Sequence, residues 1–356
     1  MSIEKYKGVL LGCAVGDTLG MAVEGWKKEQ IKKYVGSVRE PMAPVIIKNE
    51  DGSEKTEDEH GKLKYWTRDL KKGEWTDDTI LTMAIAESIA EKNALDLEDN
   101  AKKHIIAYEA LRMPDGRIKG GFGGTTQEAF KQLQAGKSPY HSGVIGGPGN
   151  APAMKMHPVG MYMHATENYE SGLLFARALG KMTHLDPRSI VSGIVQAHAI
   201  YALLDGVSRN ELIHSVAKIC KQYEEPLTEE FTWHKKGALL SRLEWISDNR
   251  DTTADEAHAH LGSSSAVYQS YPFALFMLQK NFDSPLQGLI ETVNYGGDCD
   301  TTCAIFGALA GARHGNAWLP SAWLDVLQGK ERIVNAAHDI YALKNQRRAF
   351  FPDERS

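Results

Sequence analysis

Two acidic clusters lie more than two hundred residues apart, and each opens onto a small-residue, apolar stretch that reads as a helix. The first is Thr76, Asp77, Asp78 and Thr79 in W-T-D-D-T-I-L-T-M-A. The second is Asp298, Asp300, Thr301 and Thr302 in G-G-D-C-D-T-T-C-A-I-F. Together they offer four carboxylates and several hydroxyls, with no lysine or arginine inside either cluster. Brought together, these carboxylates would repel one another unless a cation lay between them. Hard oxygen donors of this kind suit magnesium, manganese or calcium rather than zinc or copper. If both clusters face one cleft, they supply enough ligands for a pair of divalent ions. The plainer reading is that each is only a helix N-cap, where a side-chain oxygen takes a free backbone N–H. A cap needs one oxygen, however, not two neighbouring carboxylates and a hydroxyl. Gly296-Gly297, just before the second cluster, permits a close backbone approach.

The elements that must position these groups are mostly helical. Apolar residues recur with helical period over 4–20, 79–93, 97–111, 125–135, 168–181, 187–204, 208–223, 265–280, 283–293, 299–314 and 330–345. No strand–helix alternation is visible. The pattern predicts an all-α fold, with one compact domain around a central helical core and the acidic cleft upon it. In the first helix Gly8, Gly12, Gly16 and Gly20 recur every four residues, a stripe that marks tight helix packing. Asp17 reads as a cap or structural carboxylate; Glu24, just past the apolar run, is better placed for chemistry. Residues 37–74 are a polar insertion. Val45–Lys48, an Asp51-Gly52 turn and Leu63–Trp66 are expected to make a hairpin there, either a solvated excursion or a flap leading into Trp75 and Thr76. Residues 137–158 are dense in glycine and proline and read as a second long loop.

Composition narrows the class of function. Of 356 residues, 42% are hydrophobic, enough for a substantial core. A net charge of −5 argues against general nucleic-acid binding. No apolar run reaches the roughly 20 residues of a membrane span, and the N-terminus does not read as a signal peptide. The four cysteines, Cys13, Cys220, Cys299 and Cys303, suggest neither a disulfide framework nor a zinc motif. A cytoplasmic location fits that usage.

Taken in order, the motifs resemble those of the ADP-ribosylglycohydrolase family. The matching pieces are G-V-L-L-G-C-A-V-G-D-T-L-G near the start, W-T-D-D-T-I-L-T-M-A at 75–84 and G-G-D-C-D-T-T-C-A-I-F-G-A-L-A-G-A at 296–312. Weaker matches are G-G-F-G-G-T-T at 120–126, G-N-A-P-A-M-K at 149–155 and the Thr183-His184 pair. The resemblance implies an all-α fold around two Mg2+ or Mn2+ ions. It implies Thr76, Asp77, Asp78, Asp298, Asp300 and Thr301 as metal ligands, with Asp77, Asp78, Asp298 or Glu24 as the catalytic acid/base. Gly121, Gly123, Gly124 and Thr125, with Gly149, Asn150 and His184, would bind ADP-ribose. Backbone N–H groups at such glycine loops can approach phosphate oxygens closely. The implied reaction is hydrolysis of the bond between ADP-ribose and a modified acceptor, an arginine, a serine or another group, on an ADP-ribosylated protein or similar partner. Two other readings stay open: a di-metal hydrolase of a phosphate ester or nucleoside-diphosphate sugar, and a non-catalytic ADP-ribose-binding relative. The chain departs from the family pattern at Ala151-Pro152, where Gly-Ala is usual, at Lys155, where arginine is common, and at His157, where a small or apolar residue is frequent.

Overall fold

Helical periodicity is realised over most of the chain. The computed structural model describes residues 2–234 and 237–350. Its first helices are α1 (Ile3–Gly20), α2 (Lys28–Tyr34), α3 (Asp77–Lys92), α4 (Leu97–Glu109), α5 (Gly124–Gln134) and α6 (Ala151–Lys155). The middle of the chain forms α7 (His157–Thr166), α8 (Tyr169–Lys181), α9 (Pro187–Asp205), α10 (Arg209–Tyr223), α11 (Leu239–Asp248) and α12 (Ala254–Leu261). The last are α13 (Val267–Lys280), α14 (Pro285–Val293), α15 (Cys299–His314), α16 (Ser321–Val326) and α17 (Lys330–Phe350). Local chemistry sets many of the starts. Ser2 accepts from the Glu4 amide at the head of α1, and Asp96 from the Asp99 amide at the head of α4. Asp186 caps α9 with Pro187 in its first turn, and Thr253 and Glu256 form a reciprocal box on α12.

The centre of the fold is the antiparallel pair α1 and α15. From Gly8 to Gly20 every residue of α1 is buried, and so is every residue of α15 from Cys299 to Ala312. Helices apolar all round belong in a core. The glycine stripe faces the α15 backbone directly. A methyl group on Gly16 would sit 2.0 Å from the Cys303 carbonyl oxygen, and one on Gly12 would sit 2.1 Å from that of Gly307. The relation is reciprocal, since a methyl on Gly307 would lie 2.0 Å from the Gly12 carbonyl. Backbone therefore packs on backbone along about four turns. Around this pair lie α3, α17, α7, α13 and α14, and a second layer centres on α9 against α6, α7, α8 and α10.

Two expectations need correction. The insertion does not pair Val45–Lys48 with Leu63–Trp66. The Asp51-Gly52 turn is present, but it brings Lys48 opposite Glu54 in an isolated bridge. The regular strands are β1 (Glu57–Asp58) and β2 (Gly61–Lys62), antiparallel, with Glu57 opposite Lys62. A short loop closes each pairing locally, at less entropic cost than a hairpin spanning both runs. The glycine- and proline-rich stretch is a loop only as far as Asn150, after which α6 and α7 begin. Pro152 and Pro158 stand in the first turns of those helices, where a missing N–H costs nothing.

The α1–α15 contact yields a stability prediction. Gly16→Ala should destabilise the protein by about 1–3 kcal/mol, because its new methyl meets a carbonyl oxygen rather than a flexible side chain. Chemical denaturation checks this; an unchanged midpoint would mean that the two backbones can separate without loss.

Candidate active site

Three chain segments meet at one end of the α1–α15 pair. Asp17, one turn from the end of α1, accepts the Thr76 amide on both carboxylate oxygens at 3.0 Å and the Thr76 hydroxyl at 2.9 Å. It also accepts the Thr79 amide at 3.1 Å and the Thr79 hydroxyl at 2.6 Å. The start of α3 is thus clamped to α1 by a carboxylate that is itself fully buried. Thr76 N-caps α3, accepting from the Asp78 amide, and its hydroxyl lies 3.2 Å from Asp78 Oδ2. The same Asp78 oxygen accepts the Thr301 hydroxyl at 3.2 Å. That shared oxygen joins the two acidic clusters across 223 residues of sequence.

The second cluster is set by a tight turn. Gly296 and Gly297 have φ of 69° and 74°, the left-handed region that glycine enters without strain. The Gly297 amide donates to the Trp26 carbonyl and the Gly25 amide to the Gly297 carbonyl, both at 2.7 Å. A methyl on Gly296 would lie 2.1 Å from the Trp26 carbonyl oxygen. This backbone contact brings Glu24 beside Asp298 and Asp300. The three side chains each place a carboxylate oxygen within 4.8 Å of the others, a group that could hold a metal ion. The Asp298 amide is held by the Ser263 carbonyl at 2.7 Å, and Asp298 Oδ2 accepts the Asn150 side-chain amide at 2.6 Å. Asn150 also donates to Ser270 at 3.0 Å.

The electrostatics are strained in a way that a cation would relieve. Glu24 Oε2, Asp78 Oδ1 and Asp300 Oδ1 are buried oxygens with no hydrogen-bond partner. Burial first, then the charges of neighbouring carboxylates, push Glu24, Asp77, Asp78 and Asp300 well above the usual carboxylate range. Asp17 rises to about 6 through burial, held back by the hydrogen bonds from Thr76 and Thr79. Two features offset the repulsion. The N-termini of α3 and α15 both point at the cluster, and their partial positive charge favours carboxylates there. Lys155, wholly buried and without a hydrogen-bond partner, supplies a positive charge near Asp77. Burial lowers its pKa to about 7, and Asp77 opposes that fall. An all-oxygen donor set with orphaned buried oxygens fits a hard divalent cation.

A cavity of about 530 Å³ opens from this cluster. Glu24, Asp77, Asp298, Asp300 and Thr301 line it, while Thr76 and Asp78 are buried behind the lining and tied to Thr301 through Asp78 Oδ2. Gly121, Gly123, Gly124 and Thr125 form one wall and Gly149, Asn150 and His184 another. All the residues singled out from sequence therefore come together. The loops are pressed close: a methyl on Gly149 would lie 2.8 Å from His184 Nε2, and one on Gly146 2.6 Å from the Thr125 hydroxyl. His184 Nδ1 pairs with the Thr183 hydroxyl at 2.9 Å, and burial, with Lys155 nearby, lowers its pKa to about 3, so the ring is neutral. A third stretch of the lining was missed. Ser264, Ser265, Ala266 and Tyr268 line the cavity, joined to the 147–149 loop by the Val267 amide donating to the Pro148 carbonyl at 2.7 Å. The serine run before α13 was the available signal. Lys155 stood out only as a lysine where arginine is common; its burial beside Asp77 was not legible in a segment that read as loop.

Comparison with known proteins agrees with this geometry. The family model described as ADP-ribosylglycohydrolase matches residues 2–349. The chain is 29% identical to an uncharacterized protein of Archaeoglobus fulgidus, over 96% of this chain and 97% of that one. It is 25% identical to the mouse ADP-ribosylhydrolase ARH3, over 96% and 92% of the two chains. It is also 25% identical to the ADP-ribosylarginine hydrolase Tri1 of Serratia proteamaculans, over 96% and 80%. A solved chain described as an ADP-ribosylglycohydrolase-related protein complex shares the fold, with a TM-score of 0.63 at 24% identity over 96% of this chain and 98% of that one. With its acidic motifs joined in one cleft and a family match along nearly its whole length, the chain belongs to the ADP-ribosylglycohydrolases and is a hydrolase.

Proposed function

We propose that the chain cleaves the glycosidic bond between C1 of the distal ribose of ADP-ribose and a modified acceptor, using two Mg2+ or Mn2+ ions. The observation that carries this reading is the Asp78 carboxylate shared by Thr76 and Thr301, which makes one cleft of two motifs. The proposed ligands are Thr76, Asp77, Asp78, Asp298, Asp300 and Thr301, with Glu24 at the edge. Bound there, such ions supply Lewis acidity and a water of lowered pKa. The protein's own part is orientation and proton handling. Asn150 holds Asp298 in place through its side-chain amide. Asp17 fixes the α3 turn that presents Asp77 and Asp78. Glu24 lines the cavity with one unpartnered oxygen and a raised affinity for a proton, which suits an acid that protonates the leaving acceptor. Asp77, Asp78 and Asp298 are the other candidates for that role. A ligand pocket of about 530 Å³ lies in the ordinary range for small molecules. Its glycine-lined walls offer backbone N–H groups to a diphosphate, and the start of α5 adds a favourable dipole there. The relatives named ADP-ribosylhydrolase ARH3 and ADP-ribosylarginine hydrolase Tri1 support a substrate of this class. The deciding experiment is a panel of substrates ADP-ribosylated on arginine, on serine and on nucleic acid, with a plain phosphodiester as control, assayed with magnesium and with manganese. Release of ADP-ribose from none of them, or turnover of the phosphodiester alone, would overturn the reading.

Asp300→Asn should abolish measurable turnover while leaving the helical circular dichroism unchanged. Removing one of several crowded carboxylates also relieves repulsion, so the metal-free Tm should hold or rise. In the wild type, adding magnesium or manganese should raise Tm, because the ions bind the folded form alone; in Asp300→Asn that rise should shrink. Thermal scans with and without chelator read both effects.

The cavity walls give a separate test. Methyl groups on Gly123 and Gly124 would meet nothing within 4 Å, so the double valine variant should fold. Its side chains would occupy space beside the ligand, and ADP-ribose affinity should fall roughly tenfold or more. Calorimetry with metal titrated first and ADP-ribose second should show the metal step intact and the second step weakened. Equal ADP-ribose affinity would leave this loop a structural role only.

A further inference from the structure

Beside the catalytic cleft lies a second groove, of about 820 Å³, between the end of the polar insertion, the loop before Gly120 and helices α4 and α5. It begins where the cleft ends. Gly120 lines the groove and its carbonyl accepts the Asp77 amide at 2.7 Å, while the next residue, Gly121, lines the cleft. On the other side, a methyl on Gly25 would meet Trp66 Nε1 at 2.8 Å and Lys64 Cδ at 3.0 Å, immediately after Glu24. Trp66 is 60% exposed, an unusual state for an indole, and the Lys64 ammonium lies 5.6 Å from its ring centre. Six cations line it, Lys64, Arg68, Arg112, Arg117, Lys119 and Lys131, and all but Lys64 are held by carboxylates, Lys119 by Glu74 and Lys131 by Glu128 among them.

We propose that this groove receives the acceptor portion of the substrate, and that it favours peptide acceptors carrying an acidic residue beside the modified side chain. The proposal rests on the reading of the cleft as the site of ADP-ribosyl hydrolysis. An ADP-ribose filling the cleft with its distal ribose over the carboxylates directs the acceptor outward past Glu24, and Lys64 and Trp66 stand at that exit. The pattern of pairing points to peptide rather than nucleic acid. Arg68 is held by Glu54, Arg117 by Asp69 and Asp115, and Arg112 by Glu109. A continuous phosphate backbone laid there would run along those carboxylates. Among the described residues of the groove, Lys64 is the cation that makes no ion pair, and it sits on an exposed indole. One ammonium on one aromatic face matches a single carboxylate side chain with an apolar neighbour.

Two peptides of identical linkage test this, one with aspartate and the other with asparagine beside the modified residue. The readout is the ratio of their kcat/KM values, which cancels any change in basal turnover. Wild type should favour the aspartate peptide by roughly fivefold, with the preference falling as salt rises. Lys64→Met and Trp66→Ala should bring the ratio close to one, and Lys64→Glu should invert it. In parallel, fluorescein-labelled, unmodified versions of both peptides are titrated onto the magnesium-loaded protein and followed by anisotropy. If no linkage is hydrolysed, the catalytic reading fails while the binding arm still judges the groove. Equal binding of the two peptides by wild type, a preference that survives Lys64→Glu, or stronger displacement by a single-stranded oligonucleotide than by the acidic peptide would each overturn the proposal.

Discussion

Everything in the cleft depends on two helices touching through their backbones. Ordinary helix pairs are kept apart by side chains, with axes about 8–10 Å apart and some freedom to slide. Here a carbonyl oxygen occupies the space where each α1 glycine would carry a methyl, from Gly8 against Gly315 to Gly20 against Cys299. Such a contact has little tolerance in register, because a slip along the axis would drive a side chain into a carbonyl. The end of α1 and the start of α15 are therefore fixed relative to one another. Asp17 transmits that fixity to α3, through hydrogen bonds from both Thr76 and Thr79. The acidic side chains sit at the ends of elements whose relative positions are decided elsewhere, in apolar packing.

The cost of this arrangement is electrostatic. Carboxylates enclosed together would ordinarily bind protons or separate, and the burial and mutual repulsion of Glu24, Asp77, Asp78 and Asp300 push them toward the protonated form. The fold answers with fixed partial charges from two helix N-termini and with one buried ammonium, Lys155. Lys155 acts on Asp77 through its charge and does not itself line the cavity. The cleft is consequently poised for a positively charged visitor. The hydrophobic framework bears the strain, as expected where function asks for an arrangement that packing alone would not select.

Much of this was legible in the sequence, for identifiable reasons. The long helices carry period-3.6 apolar patterns, and the glycine stripe of α1 announced close packing because only one residue type permits it. The acidic motifs stood out because they held more oxygens than a cap requires. What stayed hidden depended on partners distant in sequence. Nothing near Lys155 says that its ammonium will lie buried beside Asp77. Short helices such as α6 and α7 begin with residues that read as turn formers, since Pro152 and Pro158 serve a first helical turn as well as a loop. The insertion went wrong in register for a similar reason: alternation there is weak, and the order of local turns decides which residues face each other. The Ser264–Tyr268 stretch offered only its serine run as a signal; its place in the cleft is decided by the backbone pairing with the 147–149 loop.

The separation of the two acidic motifs along the chain has a consequence for synthesis. A chain emerging from a ribosome presents Glu24, Asp77 and Asp78 long before Asp298, and the glycine face of α1 has no partner until α15 is made. Domains are commonly completed in order of synthesis, from the N-terminal end. In this chain the glycine face of the first helix must wait for α15 near the other end, so that face remains uncovered through most of translation. The cleft is thus among the last features to exist, and a chain truncated before Asp298 would keep Glu24, Asp77 and Asp78 but lack the partner that brings them together.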